Sequence, residues 1–144
     1  MSRRKARECA LQMLFQADLS GSQPEECRKL FWNSSEQVRE EVRDYADQLF
    51  DRCFGARNRV DELIRAHARN WSIERMAAVD RNILRLAVAE LLVGETPPTV
   101  VIDEAIEIAR KYGTEKSPEF VNGILDSIRI ELERSPDEHS NGSH

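Results

Sequence analysis

The stretch that decides the fold is "SIERMAAVDRNILRLAVAELLVGE", residues 72–95. Its apolar side chains recur at intervals of three and four residues, which is the period of an α-helix with one buried face. The positions on that face are Ile83, Leu84, Ala87, Leu91 and Leu92. Because this segment is so strongly apolar, we predict that it forms a central helix and the most buried one of the protein.

Similar stripes run through the chain on both sides of this segment, and the alternating pattern of β-strands is scarce. The prolines of "TPP", residues 96–98, stop the central helix, and "SPEF", residues 117–120, starts the last one. Gly113 is predicted to end the helix between them in a left-handed conformation. The sequence therefore predicts an all-α fold of six to seven helices. Its predicted C-terminal core consists of Leu84, Ala87, Leu91, Ile106, Ile124 and Leu125.

The stretch around "WSIER", which begins at residue 71, is the predicted seam between two helical halves. We expect an N-terminal helical subdomain over residues 1–70 and a C-terminal one over residues 71–134. The last residues, 135–144, are polar and are predicted to be a disordered tail.

The composition places the chain among compact proteins rather than disordered ones. Its 144 residues are 40% hydrophobic, and 21 Lys and Arg stand against 26 Asp and Glu, a net charge of -5. No apolar run approaches the roughly 18 residues of a membrane span, and no signal peptide is evident. The odd set of Cys9, Cys27 and Cys53 lacks a CxxC spacing, which favours reduced, buried thiols in a cytoplasmic protein.

Signatures of catalysis are missing from the sequence: it has no glycine-rich phosphate loop, no HExxH, no GxSxG and no His/Cys set with metal spacing. His67 closes an amphipathic segment, where a structural histidine is the ordinary interpretation. We therefore expect a binding module that is not an enzyme and needs no cofactor.

A basic cluster opens the chain, although the protein as a whole is acidic. Arg3, Arg4 and Arg7 precede or begin the first helix, and Phe15 follows on the same flank. Two interpretations stay open. The cluster is either a solvated helix start, which opposes the helix dipole, or a phosphate-binding patch beside an aromatic ring. On an acidic body, so short a patch suggests weak RNA contact that is helped by a partner.

A second candidate patch lies in "ARKYGTEKSPEF", residues 109–120. Lys116 is basic, and Ser117 together with the free amides of the next helix could meet a phosphate. Phe120 stands off the centre of its apolar stripe. It could either pack into the core or present its ring to a base.

Four motifs, taken in their order, resemble the NusB family of bacterial transcription antitermination factors: "RRKARECALQMLFQ", "DRNILRLAVAELL", "PPTVVIDEAIEIARKYG" and "SPEFVNGILDSI". The resemblance spans roughly residues 3–130. It implies an all-helical fold of two small subdomains and binding of boxA RNA. It also implies two partners, the small-subunit ribosomal protein NusE and the antitermination complex of RNA polymerase.

The resemblance also implies roles for particular residues. The matching RNA-binding positions are Arg3, Arg4, Arg7, Phe15, Lys116, Ser117 and Phe120. The matching NusE-binding positions, around the central helix, are Glu74, Arg75, Asp80 and Arg81. Phe15 stands where tyrosine is common, so stacking would remain without a hydroxyl contact. Lys116 stands where family members carry an acid, which should strengthen phosphate attraction. We expect Arg4 and Arg7 to contact phosphate without contributing to folding.

Two rival functions stay open from the sequence. NusB-like domains also precede the catalytic domain of some ribosomal RNA methyltransferases, although this chain has no motif for binding a methyl donor. Some family members form homodimers through the surface that RNA would use, so a homodimeric interaction module is the other alternative.

Overall fold

Helices account for nearly all of residues 2–35 and 37–134, which are the residues that the computed structural model describes. They are α1 (Arg3–Ser20), α2 (Pro24–Ser34), α3 (Glu40–Gly55), α4 (Arg57–His67), a 3-10 helix (Ile73–Arg75), α5 (Ala78–Val93), α6 (Pro98–Tyr112) and α7 (Ser117–Arg134). This confirms the all-α prediction with seven α-helices. The predicted tail, 135–144, lies outside the described residues.

The central helix predicted from residues 72–95 is α5. Helices α1, α3, α4, α6 and α7 all pack against it. Every residue from Asn82 to Glu90 is buried, so α5 is enclosed on all sides, as a helix in the middle of a core must be. Leu91 and Leu92 are only partly buried, at the edge of the same core.

The ends of α1 show how local sequence sets the helix boundaries. The Ser2 side-chain oxygen accepts a hydrogen bond from the Lys5 amide at 3.2 Å and caps the first turn. At the other end, Gly21 has a φ of 71°, a left-handed conformation that glycine adopts without a Cβ clash. Its amide donates to the Ala17 carbonyl at 2.8 Å, which closes the helix.

The predicted C-terminal core is confirmed for four of its six residues. Leu84, Ala87, Ile124 and Leu125 are buried, whereas Leu91 and Ile106 are half-buried and pack against the core from its edge. Buried apolar residues from both predicted halves belong to one hydrophobic cluster. The predicted seam at residue 71 falls between α4 and the 3-10 helix. The division into subdomains 1–70 and 71–134 stays a prediction.

Two sequence interpretations concern the three cysteines and His67. Cys9, Cys27 and Cys53 are all buried, and burial raises the pKa of the Cys53 thiol to about 12. His67 joins α4 to α7: its Nδ1 lies 2.6 Å from the Ser127 hydroxyl, and its Nε2 lies 3.1 Å from a Glu131 carboxylate oxygen. This is a structural role for His67.

Among the described helices, none is both long enough and apolar enough to cross a membrane.

The core assignment makes a direct prediction about stability. Leu84 and Leu125 are both 0% exposed, so Leu84→Ala or Leu125→Ala should each lower the free energy of unfolding by about 2–5 kcal/mol. Urea unfolding followed by circular dichroism measures this loss. The control is Ile130→Ala on α7, where the side chain is 45% exposed and the change should stay within about 0.5 kcal/mol. Equally small losses at Leu84 and Leu125 would contradict the assignment.

Candidate nucleic-acid interface

The basic start of α1 divides into exposed and buried residues. Arg3 is exposed, and its guanidinium carbon lies 5.1 Å from the centre of the Tyr45 ring. Arg4 remains 52% exposed while its Nε donates to a Glu104 carboxylate oxygen on α6 at 3.1 Å. Phe15 is half-buried. A phosphate could therefore reach Arg3 directly, but at Arg4 it would compete with Glu104.

Arg7 corrects the expectation that it contacts phosphate without contributing to folding. Its side chain is buried, and its Nε and Nη2 donate to the two carboxylate oxygens of Glu90 on α5, at 2.7 and 2.9 Å. Burial alone would lower the pKa of Arg7, but the hydrogen bonds and charge of Glu90 outweigh it and raise that pKa. The physical reason is that Arg7 lies on the face of α1 turned toward α5, so its charge is neutralised inside the protein.

Arg81 is likewise an internal residue rather than a free partner contact. Its Nη2 and Nε donate to one carboxylate oxygen of Asp18 on α1, at 2.7 and 2.9 Å. Its Nη1 donates to the backbone carbonyls of Ile73 and Met76, at 3.1 and 3.0 Å. The side-chain amide nitrogen of Asn82 donates a further hydrogen bond to Asp18 at 3.0 Å. Arg81 thus ties together α1, the 3-10 segment and α5, which corrects its assignment to NusE binding.

Two more buried carboxylates hold helices together. The Asp61 oxygens on α4 accept from Nε and Nη2 of Arg85 at 2.9 and 3.1 Å. Glu8 on α1 accepts from the Lys111 ammonium at 3.1 Å and from the Tyr112 hydroxyl at 3.0 Å, both at the end of α6. Much of the charge in the family-like motifs therefore serves helix packing.

One groove brings together residues of the second predicted RNA patch and residues of the predicted NusE-binding set. It has a volume of about 450 Å³ and lies between the segment 71–80 and the segment 114–120. We call it the Lys116 groove; its lining residues are Trp71, Arg75, Ala77, Asp80, Thr114, Lys116, Ser117, Glu119 and Phe120. Sequence reasoning had assigned Arg75 and Asp80 to a protein partner and Lys116 and Phe120 to RNA. The fold places all four around the same space.

Ser117 and Gly113 form the tight turn at one wall of this groove. Ser117 is 1% exposed, and its hydroxyl oxygen accepts from the Thr114 amide at 2.9 Å, so its side chain is not open to a phosphate as predicted. Gly113 is extended, with φ −93° and ψ −165°, which corrects the left-handed cap. A Cβ at Gly113 would collide with the Ser117 side chain, so glycine is needed here for close approach.

The remaining groove residues offer contacts to a ligand. Lys116 is exposed, and Phe120 is half-buried, packed against the core while it lines the groove. The Oδ1 oxygen of Asp80 is buried and has no hydrogen-bond partner within the described part of the chain. The Asp80 carboxylate as a whole is part of the groove lining and adds an acceptor group to it. The groove thus combines a cation, an aromatic ring and an acceptor.

Glu74 and Trp71 complete the surface. Glu74 is exposed, and a hydrogen bond from its own backbone amide, followed by its contact with Arg65 at 3.3 Å, lowers the pKa of its carboxyl. Trp71 was not predicted as a site residue, although its side chain is 55% exposed and lines the groove. The signal in the sequence is a large aromatic residue outside every apolar stripe and close to Arg69 and Arg75.

The buried Arg7–Glu90 pair yields a prediction that separates folding from binding. Arg7→Ala leaves the Glu90 carboxylate buried without its partner and should lower the free energy of unfolding by about 3–5 kcal/mol. The double change Arg7→Met with Glu90→Leu should recover most of that loss, because no charge is then left unpaired. Arg4→Ala is the matched control, since Arg4 is largely exposed, and urea unfolding should place it close to the parent. A parent-like Arg7→Ala would contradict the pairing.

Asp18 makes stability depend on pH. Burial raises the pKa of Asp18, but hydrogen bonds from Arg81 and Asn82 and the charges of Arg81 and Arg85 outweigh it, so the pKa lies below its ordinary value. A carboxyl whose pKa is lower in the folded state stabilises fully above about pH 4, and this stabilisation is lost as pH falls through the folded pKa.

Asp18→Asn should therefore be less stable than the parent at neutral pH, and the difference should shrink on acidification below about pH 4. Urea midpoints of the two proteins across this range test the prediction. Taking the difference between them removes the contribution of every other titrating group. If the difference between the two urea midpoints stays constant with pH, the charge of Asp18 does not contribute to stability.

Comparisons with known proteins agree with the resemblance seen in the sequence. Residues 4–129 match the sequence model of the NusB family. The transcription antitermination protein NusB of Koribacter versatilis (strain Ellin345) is 47% identical over 133 residues, which cover 92% of this chain and 91% of that protein. The same protein from Anaeromyxobacter dehalogenans (strain 2CP-1) is 49% identical over 126 residues, covering 88% and 89%.

Solved structures share the fold. A crystal form of T. maritima NusB superposes with a TM-score of 0.82 at 36% identity, covering 91% of this chain and 92% of that one. A chain from a crystal structure of the antitermination factors NusB and NusE in complex with dsRNA superposes with a TM-score of 0.81 at 34% identity, covering 88% and 95%. With a family match over most of its length, and with these relatives, the chain belongs to the NusB family.

Proposed function

We propose that this protein is a transcription antitermination factor that binds boxA RNA together with NusE, as part of the antitermination complex of RNA polymerase. Its relatives carry the name of antitermination proteins, and a structural neighbour is a NusB crystallised with NusE and dsRNA. The role is regulatory rather than catalytic, and its place is the cytoplasm.

The observation that carries the proposal is the composition of the Lys116 groove. A cation at its rim can neutralise a phosphate, and the Phe120 ring can stack on a base that is not paired. The Asp80 carboxylate, which belongs to the same lining, can accept an N–H group from a base edge. These are the three kinds of contact that single-stranded RNA offers to a protein.

The other predicted residues divide by their accessibility. Arg3 and Arg4 remain proposed RNA contacts at the exposed end of α1, with half-buried Phe15 farther along the same helix. Glu74 and Arg75 are exposed and remain proposed NusE contacts. Arg7, Ser117 and Arg81 are withdrawn as direct contacts, because their side chains are committed to internal hydrogen bonds.

Titration of labelled boxA RNA, with and without NusE, tests the function. We expect binding to the protein alone and tighter binding when NusE is present. NusE alone, at the same concentration, is the control. Failure of the RNA to bind under either condition would contradict the proposal.

Two substitutions in the groove separate stacking from charge. Phe120→Ala should weaken RNA binding by about 1–3 kcal/mol with an unchanged salt dependence, because stacking releases no counterions. Lys116→Ala should flatten the plot of log affinity against log salt by about one unit. Lys29→Ala is the matched control, since Lys29 is an exposed lysine on α2. Both groove variants should still bind NusE without RNA.

Phe120 also packs against the core, so the melting temperature of the Phe120→Ala protein must be measured alongside its affinity for RNA. A variant that melts earlier but binds RNA as the parent does would mean that the ring serves packing only. The second RNA patch would then have to be abandoned.

A further inference from the structure

Trp71 separates two open spaces on the surface. It lines the Lys116 groove on one side and a second cleft of about 350 Å³ on the other. This second space, the Arg69 cleft, is lined by Arg65, Ala68, Arg69, Asn70, Trp71, Ser72, Ile73 and Glu74. Trp71 is thus the residue that the two linings share.

The two tryptophans of the chain have very different surroundings. The Trp32 indole N–H donates to Asp47 at 2.8 Å, and its ring meets the Phe31 ring edge-on. The Trp71 side chain is 55% exposed, and its indole N–H makes no hydrogen bond to any residue that the structure describes. Packing thus accounts for Trp32 and leaves most of the Trp71 ring unexplained.

Several basic side chains around Trp71 have no carboxylate partner. Arg69, Arg75 and Lys116 form no ion pair with any described residue. Elsewhere most basic side chains form ion pairs with carboxylates: Arg4, Arg7, Arg28, Arg39, Arg52, Arg57, Arg81, Arg85, Arg110, Lys111 and Arg129. The two spaces together are lined by four basic and three acidic residues, against 21 and 26 in the whole chain. An acidic protein thus presents unpaired cations on both sides of an exposed ring.

This arrangement matches what a single-stranded nucleic acid requires. Aromatic rings stack on bases of any sequence, and cations beside them neutralise the phosphates before and after the stacked base. Because these cations have no ion pair, one of them can contact the ring and a phosphate together without first losing a carboxylate partner. A protein partner that covered Trp71 would have to bury Arg69 and Lys116 or supply carboxylates for them.

We propose that Trp71 is a base-stacking platform that carries single-stranded RNA from the Lys116 groove into the Arg69 cleft. Arg69 contacts phosphate on the far side of the ring, and Lys116 does so on the near side. The proposal rests on the proposed RNA-binding function and extends its surface to residues that the sequence analysis did not assign.

Trp71→Ala tests the platform, with a short single-stranded boxA RNA as the probe and NusE present. We expect affinity to fall by about 5- to 150-fold with the salt dependence of the parent, and Trp71→Phe to retain most of the affinity. Because the side chain is largely exposed, both variants should melt as the parent does. Ile130→Ala, another exposed apolar residue, is the control and should bind RNA normally.

Two further measurements distinguish stacking from general surface damage. RNA should quench the tryptophan fluorescence of the parent, and this quenching should be lost in Trp71→Phe, which keeps Trp32. Arg69→Ala should flatten the salt dependence by about one unit, whereas Lys29→Ala should not.

Three outcomes would overturn the inference. If Trp71→Ala binds RNA as the parent does while Phe120→Ala is weakened, Trp71 is not part of the RNA path and the proposed function stands. If Trp71→Ala loses NusE binding in the absence of RNA, the ring is a protein contact. If the parent itself binds no RNA, with or without NusE, the platform and the proposed function fail together.

Discussion

The arrangement of the helices around α5 depends on two ion pairs at opposite ends of the α1–α5 interface. On α1 the positive charge of Arg7 comes first and the negative charge of Asp18 follows three turns later, and on α5 Arg81 precedes Glu90 in the same order. Antiparallel packing in one register places unlike charges together at both ends. A slip of one turn would leave buried charges unpaired, at a cost of several kcal/mol. Because α3, α4, α6 and α7 also pack on α5, this register fixes their positions too.

The same ion pairs position the candidate RNA surface. Arg81 binds Asp18 and also the carbonyls of Ile73 and Met76, so it fixes the segment that carries Trp71 relative to α1. The opposite wall is set by Ser117, whose hydroxyl holds the Thr114 amide. Arg81 and Ser117, which the sequence suggested as binding residues, thus hold the walls of the groove in place. They shape a groove whose actual contacts are left to neighbouring side chains.

The apolar period, together with the proline and glycine positions, was enough to predict six to seven helices and the buried central one, because these depend on local sequence. The role of each charged residue was not predictable in the same way. Arg7 finds its carboxylate 83 residues away, and no local pattern shows that partner. A weaker signal did exist, since Arg7 and Asp18 share a helical face with buried Leu11 and Leu14. Gly113 was misjudged because composition does not distinguish a left-handed glycine from one that makes room for a neighbour.

Because so many basic residues form ion pairs within the protein, few cations are left to bind the phosphates of RNA. Each cation that meets a phosphate contributes roughly one unit of salt dependence, so a surface with few unpaired cations gains little from counterion release. The net charge of -5 further weakens attraction to RNA in general. Affinity must then come from stacking, from base-edge contacts such as those of the Asp80 carboxylate, and from a partner that adds its own contacts. A protein built in this way gains selectivity from its acidity, because RNA that cannot place bases in the groove is held only weakly.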